Sequence, residues 1–299
     1  MNLRQLRTFV CVAEHGSLAR ASIATDQAPS LVSRQIGALE SEWGDRLFVR
    51  TGRGMTLSDF GRRMLPEVKA AMEQMVRLES VAREAAGVPI GTVHLGVLPS
   101  LARLLLPLLF SDLRRTAPAV TLRAAEGFSG NLDEQLSSGR LDVAVINRYG
   151  TSVLRGEEVL GTADTYLIGK TGNPLLGERN VPFKALTGLP LVLPSVPNGL
   201  RVMLDQLSRR HGVPLQVVME VDSSVSMKSV ALSGHAFTLL PLMAVKEELA
   251  LKTLGAAKVI KPALPRTIAL ALTTHRPLSR AARHVAARVR NLAPGLIGK

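Results

Sequence analysis

The fold of the N-terminal part of the chain is decided by the stretch PSLVSRQIGALE, residues 29–40. Its apolar side chains recur at helical spacing, so that Val32, Ile36 and Leu39 form one stripe. The opposite face carries two short hydroxyl side chains and one long arginine. Pro29 suits the first position of a helix, where its missing N–H costs nothing. The stretch therefore predicts a helix with one buried face and one polar face.

A shorter helix is predicted just upstream. Ser17 is a good N-cap, and small residues that favour close packing follow it from 18 to 24. Two short helices joined by a tight turn form a helix-turn-helix, here over about residues 18–37, whose second helix can enter the major groove of DNA. An apolar repeat over residues 3–13 predicts a first helix that closes on this pair.

The segment that begins at Leu47 predicts a small β-hairpin, or wing, after the second helix. Residues 47–50 are strand-like, and the turn at 51–54 contains two glycines, which permit positive φ. Arginines on such a wing would lie against phosphates or in a minor groove. Arginines without a role are also common on protein surfaces, so the interpretation of Arg50 and Arg53 depends on the motif around them.

A longer spaced pattern runs from Ser33 to Gly61. It reads Ser-Arg-Gln-Ile-x-x-Leu-Glu and then Gly-x-x-Leu-Phe-x-Arg-x-x-Arg-x-x-x-Leu-x-x-x-Gly. This pattern resembles the N-terminal signature of LysR-type transcriptional regulators. The family usually has Leu where this chain has Thr25, and Gln where it has Pro29. The second departure removes a possible DNA contact, so a base preference does not transfer.

The resemblance implies a winged helix-turn-helix that binds double-stranded DNA at a pseudo-palindromic promoter site. On this chain the polar face of the second helix would enter the major groove, and the wing arginines would contact the backbone. We expect DNA contacts from Gln27, Pro29, Ser30, Ser33, Arg34, Arg50 and Arg53.

A long helix is predicted from residue 58 to about residue 86, with Ser58 as its N-cap. Its apolar residues alternate in spacing between four and three positions, which is a heptad seam: Met64, Val68, Ala71, Met75, Leu78, Ala82 and Ala85. A second copy of this helix is the natural partner; the alternative is packing on the chain's own C-terminal half. A dimer would hold two recognition helices at a fixed distance. The resemblance further implies tetramers, and RNA polymerase as a partner.

The break GVPIG at residues 87–91 is the best domain boundary. Beyond it, eight strand-like runs alternate with six helical segments, one of them over 242–251. This alternation predicts parallel sheets covered by helices. We therefore expect an all-α winged helix-turn-helix over 1–58, a long dimerisation helix over 59–87 and an α/β region over 88–299.

The α/β region resembles the effector-binding part of the same family, a two-lobed fold like that of periplasmic binding proteins. The strand at 93–98, the Pro-Ser pair after it and the run LDVAVI at 141–146 carry the resemblance. The stretch around residues 130–132 and the run at 142–146 also resemble the nitrogen-assimilation-control branch. The resemblance implies that lobe I spans about 91–162 and 267–299, and lobe II about 163–266.

The formal net charge of +13 is unevenly distributed. Residues 1–87 hold 12 lysine and arginine residues against 10 acidic ones, so most of the excess lies beyond them. Residues 266–299 hold seven basic residues and no acidic one. This basic half could assist DNA binding non-specifically, favour an anionic ligand, or be a solvated surface.

We expect a small anionic metabolite as the effector, bound between the two lobes. In open α/β sheets, ligands bind beyond the carboxyl ends of the strands, where helix N-termini point free N–H groups outward. Polar residues at such positions are Ser100, Ser129, Ser195 and Asn198, with Asn147, Ser223 and Ser224 in a second rank. Each of them could instead be a plain helix cap.

The motifs of common enzymes do not fit the chain. The GKT at 169–171 lacks the glycine that a phosphate-binding loop requires at 164, the six histidines have no zinc-ligand spacing, and no Gly-x-Ser-x-Gly elbow occurs. We therefore expect no enzyme activity, no metal and no cofactor. The competing interpretations are a two-lobed small-molecule enzyme or solute-binding protein, neither of which explains residues 17–61, and an architectural DNA-binding protein.

Cys11 is the only cysteine, which excludes a disulfide within one chain. A small buried hydrophobe is the expected role, and a redox sensor is the alternative. No basic segment followed by an apolar stretch opens the sequence, and no apolar run reaches the length of a membrane span. We expect a cytoplasmic protein without a membrane segment.

Overall fold

The computed structural model describes residues 1–51, 54–83, 88–150, 153–154 and 156–297. The chain divides into two compact units, Met1–Ala85 and Ala86–Lys299. The elements of the first unit are α1 (Leu3–His15), α2 (Leu18–Thr25), α3 (Pro29–Trp43), β1 (Phe48–Thr51), β2 (Gly54–Leu57) and α4 (Asp59–Arg83).

The stripe predicted on α3 forms the centre of the first unit's core. Val32, Ile36 and Leu39 are buried there against Phe9 of α1. The ring of Phe9 meets the ring of Phe48 edge-on, with 5.6 Å between the centroids. The apolar face of the recognition helix is therefore fixed against α1 and against the start of the wing.

The wing is an antiparallel pair of β1 and β2, as predicted. Two contacts tie it to the helices. The Glu40 carboxylate accepts a hydrogen bond from the backbone N–H of Leu47 at 2.8 Å. A Cβ at Gly61 would lie 2.1 Å from the Leu47 carbonyl oxygen, so only glycine allows α4 to approach the wing this closely. Ser58 caps α4 as expected, its hydroxyl accepting from the Gly61 N–H at 2.9 Å.

The seam predicted on α4 is partly used within the chain. Val68 is buried in the first unit's own core, with Met64 packed against the same cluster. Ala71 and Met75, further along the helix, are exposed. The side chains of residues 76–83 and all of Ala85 lie outside what the structure describes. Val68 was predicted to face a second copy of the helix, and in this unit it faces α1 and its neighbours instead.

The second unit contains two lobes, each built on a sheet. The sheet of lobe I has the order β4-β3-β5-β13-β6. Its strands are β3 (Gly91–Val97), β4 (Val120–Glu126), β5 (Val143–Tyr149), β6 (Glu158–Ala163) and β13 (Arg266–Leu272). Its helices are α5 (Pro99–Thr116), α6 (Ser129–Ser137) and α10 (Arg280–Leu292), followed by a 3₁₀ turn at Ala293–Leu296.

The sheet of lobe II consists of a four-stranded part, β11-β7-β12-β8, and the parallel pair β10-β9. Two backbone hydrogen bonds of 2.8 Å join β9 to Phe237 beside β11: the Val192 N–H donates to the Phe237 carbonyl, and the Phe237 N–H donates to the Pro190 carbonyl. The strands are β7 (Tyr166–Lys170), β8 (Asn180–Pro182), β9 (Pro190–Leu193), β10 (Gln216–Glu220), β11 (Thr238–Leu240) and β12 (Leu254–Ile260). The helices are α7 (Gly199–His211), α8 (Ser224–Leu232) and α9 (Lys246–Ala250), with 3₁₀ turns at Pro174–Leu176, Phe183–Leu186 and Leu242–Ala244.

The prediction of parallel sheets is wrong in part. The strands β3, β4 and β5 are parallel, but β13 is antiparallel to β5 and β6, and β7 is antiparallel to β11 and β12. The chain leaves lobe I after β6, forms lobe II and comes back to lobe I as β13. Because it comes back from lobe II, β13 enters the sheet at the end opposite to the one where β5 begins. The single helix expected over 242–251 is a 3₁₀ turn and a short α9, separated at Val245.

Candidate functional site

The polar face of α3 is exposed as predicted. Ser30, Ser33 and Arg34 all face solvent, and Pro29 occupies the first helical position. The backbone of Arg50 lies in β1, but its side chain is outside the described part of the structure, and so is all of Arg53. The structure thus brings the three recognition-helix side chains onto one surface.

Two polar residues precede α3, and one of them, Thr25, departs from the family's usual pattern. The hydroxyl of Thr25 donates to the Ala21 carbonyl at 2.8 Å, so a polar residue is satisfied where the family usually has leucine. Gln27 is half-buried in the turn, and its Oε1 has no hydrogen-bond partner. The carbonyl end of Gln27 is therefore turned inward, away from the exposed face of α3.

A second candidate site lies between the two lobes of the second unit. It is a cavity of ≈ 60 Å³ where the carboxyl ends of β3 and β5 face the N-termini of α7 and α8. The lining residues are Leu98, Pro99, Ser100, Phe128, Ser129, Gly130, Asn147, Tyr149, Pro194, Asn198, Gly199, Leu200, Ser224, Met227, Leu239, Leu240, Pro241 and Arg266. A wider cleft of ≈ 650 Å³ continues from it past Ser129, Asn147 and Tyr149.

Five of the seven predicted effector residues line this cavity: Ser100, Ser129, Asn147, Asn198 and Ser224. Ser195 and Ser223 do not. The backbone N–H of Ser195 donates to Asp222 at 3.0 Å, and the hydroxyl of Ser223 caps α8 by accepting from the Ser226 N–H at 3.2 Å. Both serve the local loop structure, so for them the simple explanation, a helix cap or loop contact, replaces the predicted one.

Arg266 is the residue that the sequence analysis missed. It starts β13, its side chain lines the cavity, and it is only 5% exposed. Its Nε and Nη2 atoms have no partner among the described residues, while Nη1 is 3.4 Å from the hydroxyl oxygen of Tyr149. None of the described residues that line the cavity is acidic. A buried cation therefore meets the cavity without a counter-charge.

Arg148, beside the same cleft, is an arginine whose charge is balanced by neighbouring carboxylates. It donates to Asp133 at 2.7 and 2.8 Å and also pairs with Glu157. The hydrogen bonds that Arg148 donates to Asp133, and then those that it donates to Glu157, raise the pKa of Arg148, although burial alone would lower it. The charge of Arg148 is thus balanced by two carboxylates of lobe I. Among the described residues, Arg266 has no such carboxylate partner.

Two further polar groups complete the cavity. Asn147 has a buried Oδ1 that no described residue partners. Its backbone N–H donates to the Ser129 hydroxyl oxygen at 2.8 Å, which leaves the hydroxyl hydrogen of Ser129 able to donate elsewhere.

Gly199 packs against the ring of Tyr149, where an added Cβ would lie 3.0 Å from the nearest ring carbon. The two lobes therefore meet at Tyr149 and Gly199.

Comparison with known proteins places the chain. A model of the LysR substrate binding domain matches residues 86–294, and a model of the bacterial regulatory helix-turn-helix protein, lysR family, matches residues 3–62. This chain belongs to the LysR family of bacterial transcriptional regulators. A LysR-type regulator carries a DNA-binding helix-turn-helix and an effector-binding domain, and the two units described above are these two parts.

Similar LysR-type proteins include a probable hydrogen peroxide-inducible genes activator of Mycobacterium leprae, 31% identical over 94% of this chain and 91% of that protein. The nitrogen assimilation regulatory protein nac of Escherichia coli is 25% identical over 93% of this chain and 91% of that protein. Full-length CbnR complexed with its target DNA shares the fold, with a TM-score of 0.74 at 19% identity, covering 97% of this chain and 99% of that one.

Two general features complete the description. Among the helices that the structure describes, none combines the length and apolarity needed to cross a membrane. Within the same residues, no three or more His, Cys, Asp or Glu side chains cluster as a metal site would require.

Proposed function

We propose that this LysR-type regulator changes its DNA binding in response to a small anion held between the two lobes. The observation that carries this proposal is the buried, unpaired guanidinium of Arg266 in the inter-lobe cavity. An uncompensated buried charge costs folding free energy. A ligand that supplies the missing negative charge converts this cost into binding free energy.

The proposed DNA contacts follow from the exposed face of α3. Ser30, Ser33 and Arg34 would enter the major groove, while Arg50 and Arg53 on the wing would contact phosphates. Pro29 and Gln27 remain proposed contacts at the margin of this face, although the inward carbonyl of Gln27 leaves only its amide nitrogen for that purpose. CbnR, which has the same fold, is complexed with target DNA.

We propose a dimer through α4, which presents exposed apolar positions at Ala71 and Met75. Two copies would present two recognition helices to a pseudo-palindromic promoter site. Further assembly into a tetramer, RNA polymerase as a partner and a cytoplasmic location belong to the same proposal. So do the domain limits 1–58, 59–87 and 88–299, with lobes at 91–162 with 267–299 and at 163–266.

A peroxide response is the second candidate, suggested by the name of the Mycobacterium leprae relative. It is disfavoured by the cysteine inventory, because Cys11 in α1 is the only cysteine and the cavity has none. Burial raises the pKa of the Cys11 thiol, and the charge of Glu14 raises it further. Peroxide reacts with thiolates, so a thiol kept protonated is a poor sensor.

The test uses the full chain and three matched proteins: the parent, Arg266→Met, and Arg179→Met, in which an exposed arginine is replaced. Thermal midpoints are measured with acetate, sulfate or phosphate, and with neutral acetamide, at constant ionic strength. We expect at least one anion, and not acetamide, to raise the midpoint of the parent and of Arg179→Met only. An equal response of Arg266→Met would remove Arg266 from the site.

The same anion should then alter the affinity of the parent for a duplex selected from a randomised pool, measured by fluorescence anisotropy. If an anion binds the cavity but leaves the affinity for the duplex unchanged, the cavity is a ligand site that does not regulate DNA binding. Turnover of the bound molecule in the same samples would instead support the two-lobed enzyme interpretation.

A further inference from the structure

Three side chains of lobe I lie on one face of its sheet. In the antiparallel ladder of β13 with β5, Arg266 is opposite Tyr149, and Ile268 is opposite Asn147. Because side chains alternate between faces along a strand, Arg266, Tyr149 and Asn147 share a face, and all three line the cavity. Diagonal neighbours such as Arg266 and Asn147 are roughly 7–8 Å apart. One small molecule can therefore contact both.

The unsatisfied atoms on this face are of opposite kinds. Arg266 presents donors at Nε and Nη2, whereas Asn147 presents an acceptor at Oδ1. A sulfate or a simple carboxylate offers only acceptors, so it satisfies Arg266 and leaves the Asn147 oxygen buried without a partner. A ligand that satisfies both side chains must carry a negative group and, close to it, a hydrogen-bond donor.

The donor on this ligand must be neutral. No acidic side chain is found among the described residues that line the cavity. An ammonium group there would be buried without a counter-charge, at a large desolvation cost. A hydroxyl makes the same hydrogen bond to Asn147 without that cost, which favours a hydroxy acid over an amino acid.

The size of the cavity limits the part of the molecule that it encloses. A volume of ≈ 60 Å³ accommodates about four to six waters, at ~10–15 Å³ for each. A ligand enclosed there has a similar number of non-hydrogen atoms. The apolar lining from Leu98, Leu239 and Met227 leaves room for a methyl-sized group beside the polar end.

We infer that the cavity binds a small 2-hydroxycarboxylate, with its carboxylate against Arg266 and its hydroxyl donating to Asn147 Oδ1. The hydroxyl of Ser129, whose oxygen already accepts from the Asn147 backbone, donates to the carboxylate. This inference rests on the proposed function, in which a small anion occupies the cleft. It adds the chemical class of that anion.

The test compares three probes of equal chain length by calorimetric titration of the full-length protein: lactate, propanoate and alanine. We expect lactate to bind roughly tenfold more tightly than propanoate, a difference of ~1.4 kcal/mol. Alanine should bind more weakly than propanoate, because its ammonium group meets no acidic side chain. Both enantiomers of lactate and alanine are included, since the two contacts alone do not determine which hand fits.

The matched variant is Asn147→Leu, which removes the acceptor and keeps a side chain of similar size. We expect it to bind lactate and propanoate equally, with propanoate bound at least as tightly as by the parent and a thermal midpoint without ligand that is no lower. Arg266→Met should bind neither. A fall in propanoate affinity together with the midpoint would show that Asn147 is structural, and would overturn its assignment to the hydroxyl.

The outcomes separate this inference from the proposed function. If the parent binds propanoate as tightly as lactate, or keeps a lactate preference in Asn147→Leu, the hydroxyl assignment is wrong and the anion site stands. Binding of sulfate without any carboxylate also overturns the inference alone. If no probe and no inorganic anion binds the folded parent, both the inference and the proposed function fail.

Discussion

The unpartnered donors of Arg266 lead to a prediction about the stability of the protein without ligand. Its unpartnered donors each carry a desolvation cost of about 1–3 kcal/mol, and a methionine fills similar volume without that cost. We expect Arg266→Met to unfold at the same temperature as the parent or higher, measured by scanning calorimetry. A residue kept for structure would instead lower the midpoint when it is replaced.

Arg148→Met is the control for this experiment. The side chain of Arg148 is only 15% exposed, but its removal leaves Glu157 and Asp133 without their partner. Breaking a buried ion pair in this way costs roughly 3–5 kcal/mol, with the lower end expected here because Asp133 is partly exposed. We expect a clear drop in the midpoint. If both arginine variants lose stability alike, Arg266 is structural.

A second prediction about single residues compares Gly61 with Gly37. A Cβ at Gly61 meets the Leu47 carbonyl at 2.1 Å, whereas nothing lies within 4 Å of one at Gly37. Gly61→Ala should therefore destabilise the first unit by about 1–3 kcal/mol through overpacking. Gly37→Ala, inside α3, should stabilise it by about 0.5–1 kcal/mol. Urea unfolding followed by fluorescence of the single tryptophan, Trp43, reports both.

The sequence predicted those cavity residues that stand between the end of a strand and the start of a helix. Ser100 and Ser129 follow strands and begin helices, so the geometry of α/β sheets places them at the cleft. The same rule selected Ser223, which turns out to cap its own helix. Arg266 gave no such signal, because an arginine at a strand start looks like any solvated residue. Only the register of β13 against β5 shows that it faces the cavity.

The recognition helix makes a prediction at the scale of one element. Arg34 is exposed on α3, beside Ser30 and Ser33. If it reads a guanine, Arg34→Ala should cost about 1–3 kcal/mol and relax the preference at one base. Arg53→Ala should weaken all sequences alike and reduce the salt slope by about one. Anisotropy titrations on the selected duplex and its single-base variants distinguish the two. Unchanged discrimination in Arg34→Ala would contradict its role.

The partly used seam of α4 decides which variant tests dimerisation. Val68 belongs to the first unit's core, so a charge there would unfold that unit whether or not the protein dimerises. Met75 is 42% exposed, and Met75→Glu should leave the fold intact. We expect it to lower the sedimentation mass while the Trp43 fluorescence stays unchanged. A parent-like mass in Met75→Glu would move the interface away from this part of α4.

The elements that the sequence missed share a cause. The strand β12 reads LGAAKVI, and β8 has only three residues, one of them proline. Glycine, alanine and proline have low strand propensity, so these segments are strands only because neighbouring strands pair with them. The apolar residues of β3, β5 and β13 recur at alternate positions or in an uninterrupted series, which was enough to predict those strands. Local pattern therefore missed β12 and β8 because of their composition and length, although β12 lies inside its sheet.

At the scale of the whole molecule, the order of domains and the two-lobed plan followed from the family resemblance. The sheet directions did not, because the pattern of one strand does not tell where the chain re-enters a sheet. The crossing from β6 to β7 and the return from β12 to β13 set those directions. The same return places Arg266 at the junction of the lobes, so the missed residue and the missed topology have one origin.

Acid stability is the last prediction, and it concerns the second unit as a whole. Asp142 is 5% exposed and ties β3 and β5 to the segment before α10. It accepts from the His94 backbone at 2.8 Å and from Arg276 at 2.6 Å. Burial alone would raise the pKa of Asp142, but the hydrogen bonds from His94 and Arg276 outweigh it and lower the pKa below its ordinary value of 3.8.

A carboxyl whose pKa is lower in the folded state stabilises the fold above its unfolded pKa, and that contribution is lost as the pH falls through the folded value. The stability of the second unit should therefore change little from this group above about pH 5 and decline below about pH 4. Asp142→Asn should be less stable at neutral pH and should lose part of that decline, followed by circular dichroism from pH 7 to 3. An acid decline identical in the variant and the parent would show that other carboxyls carry it.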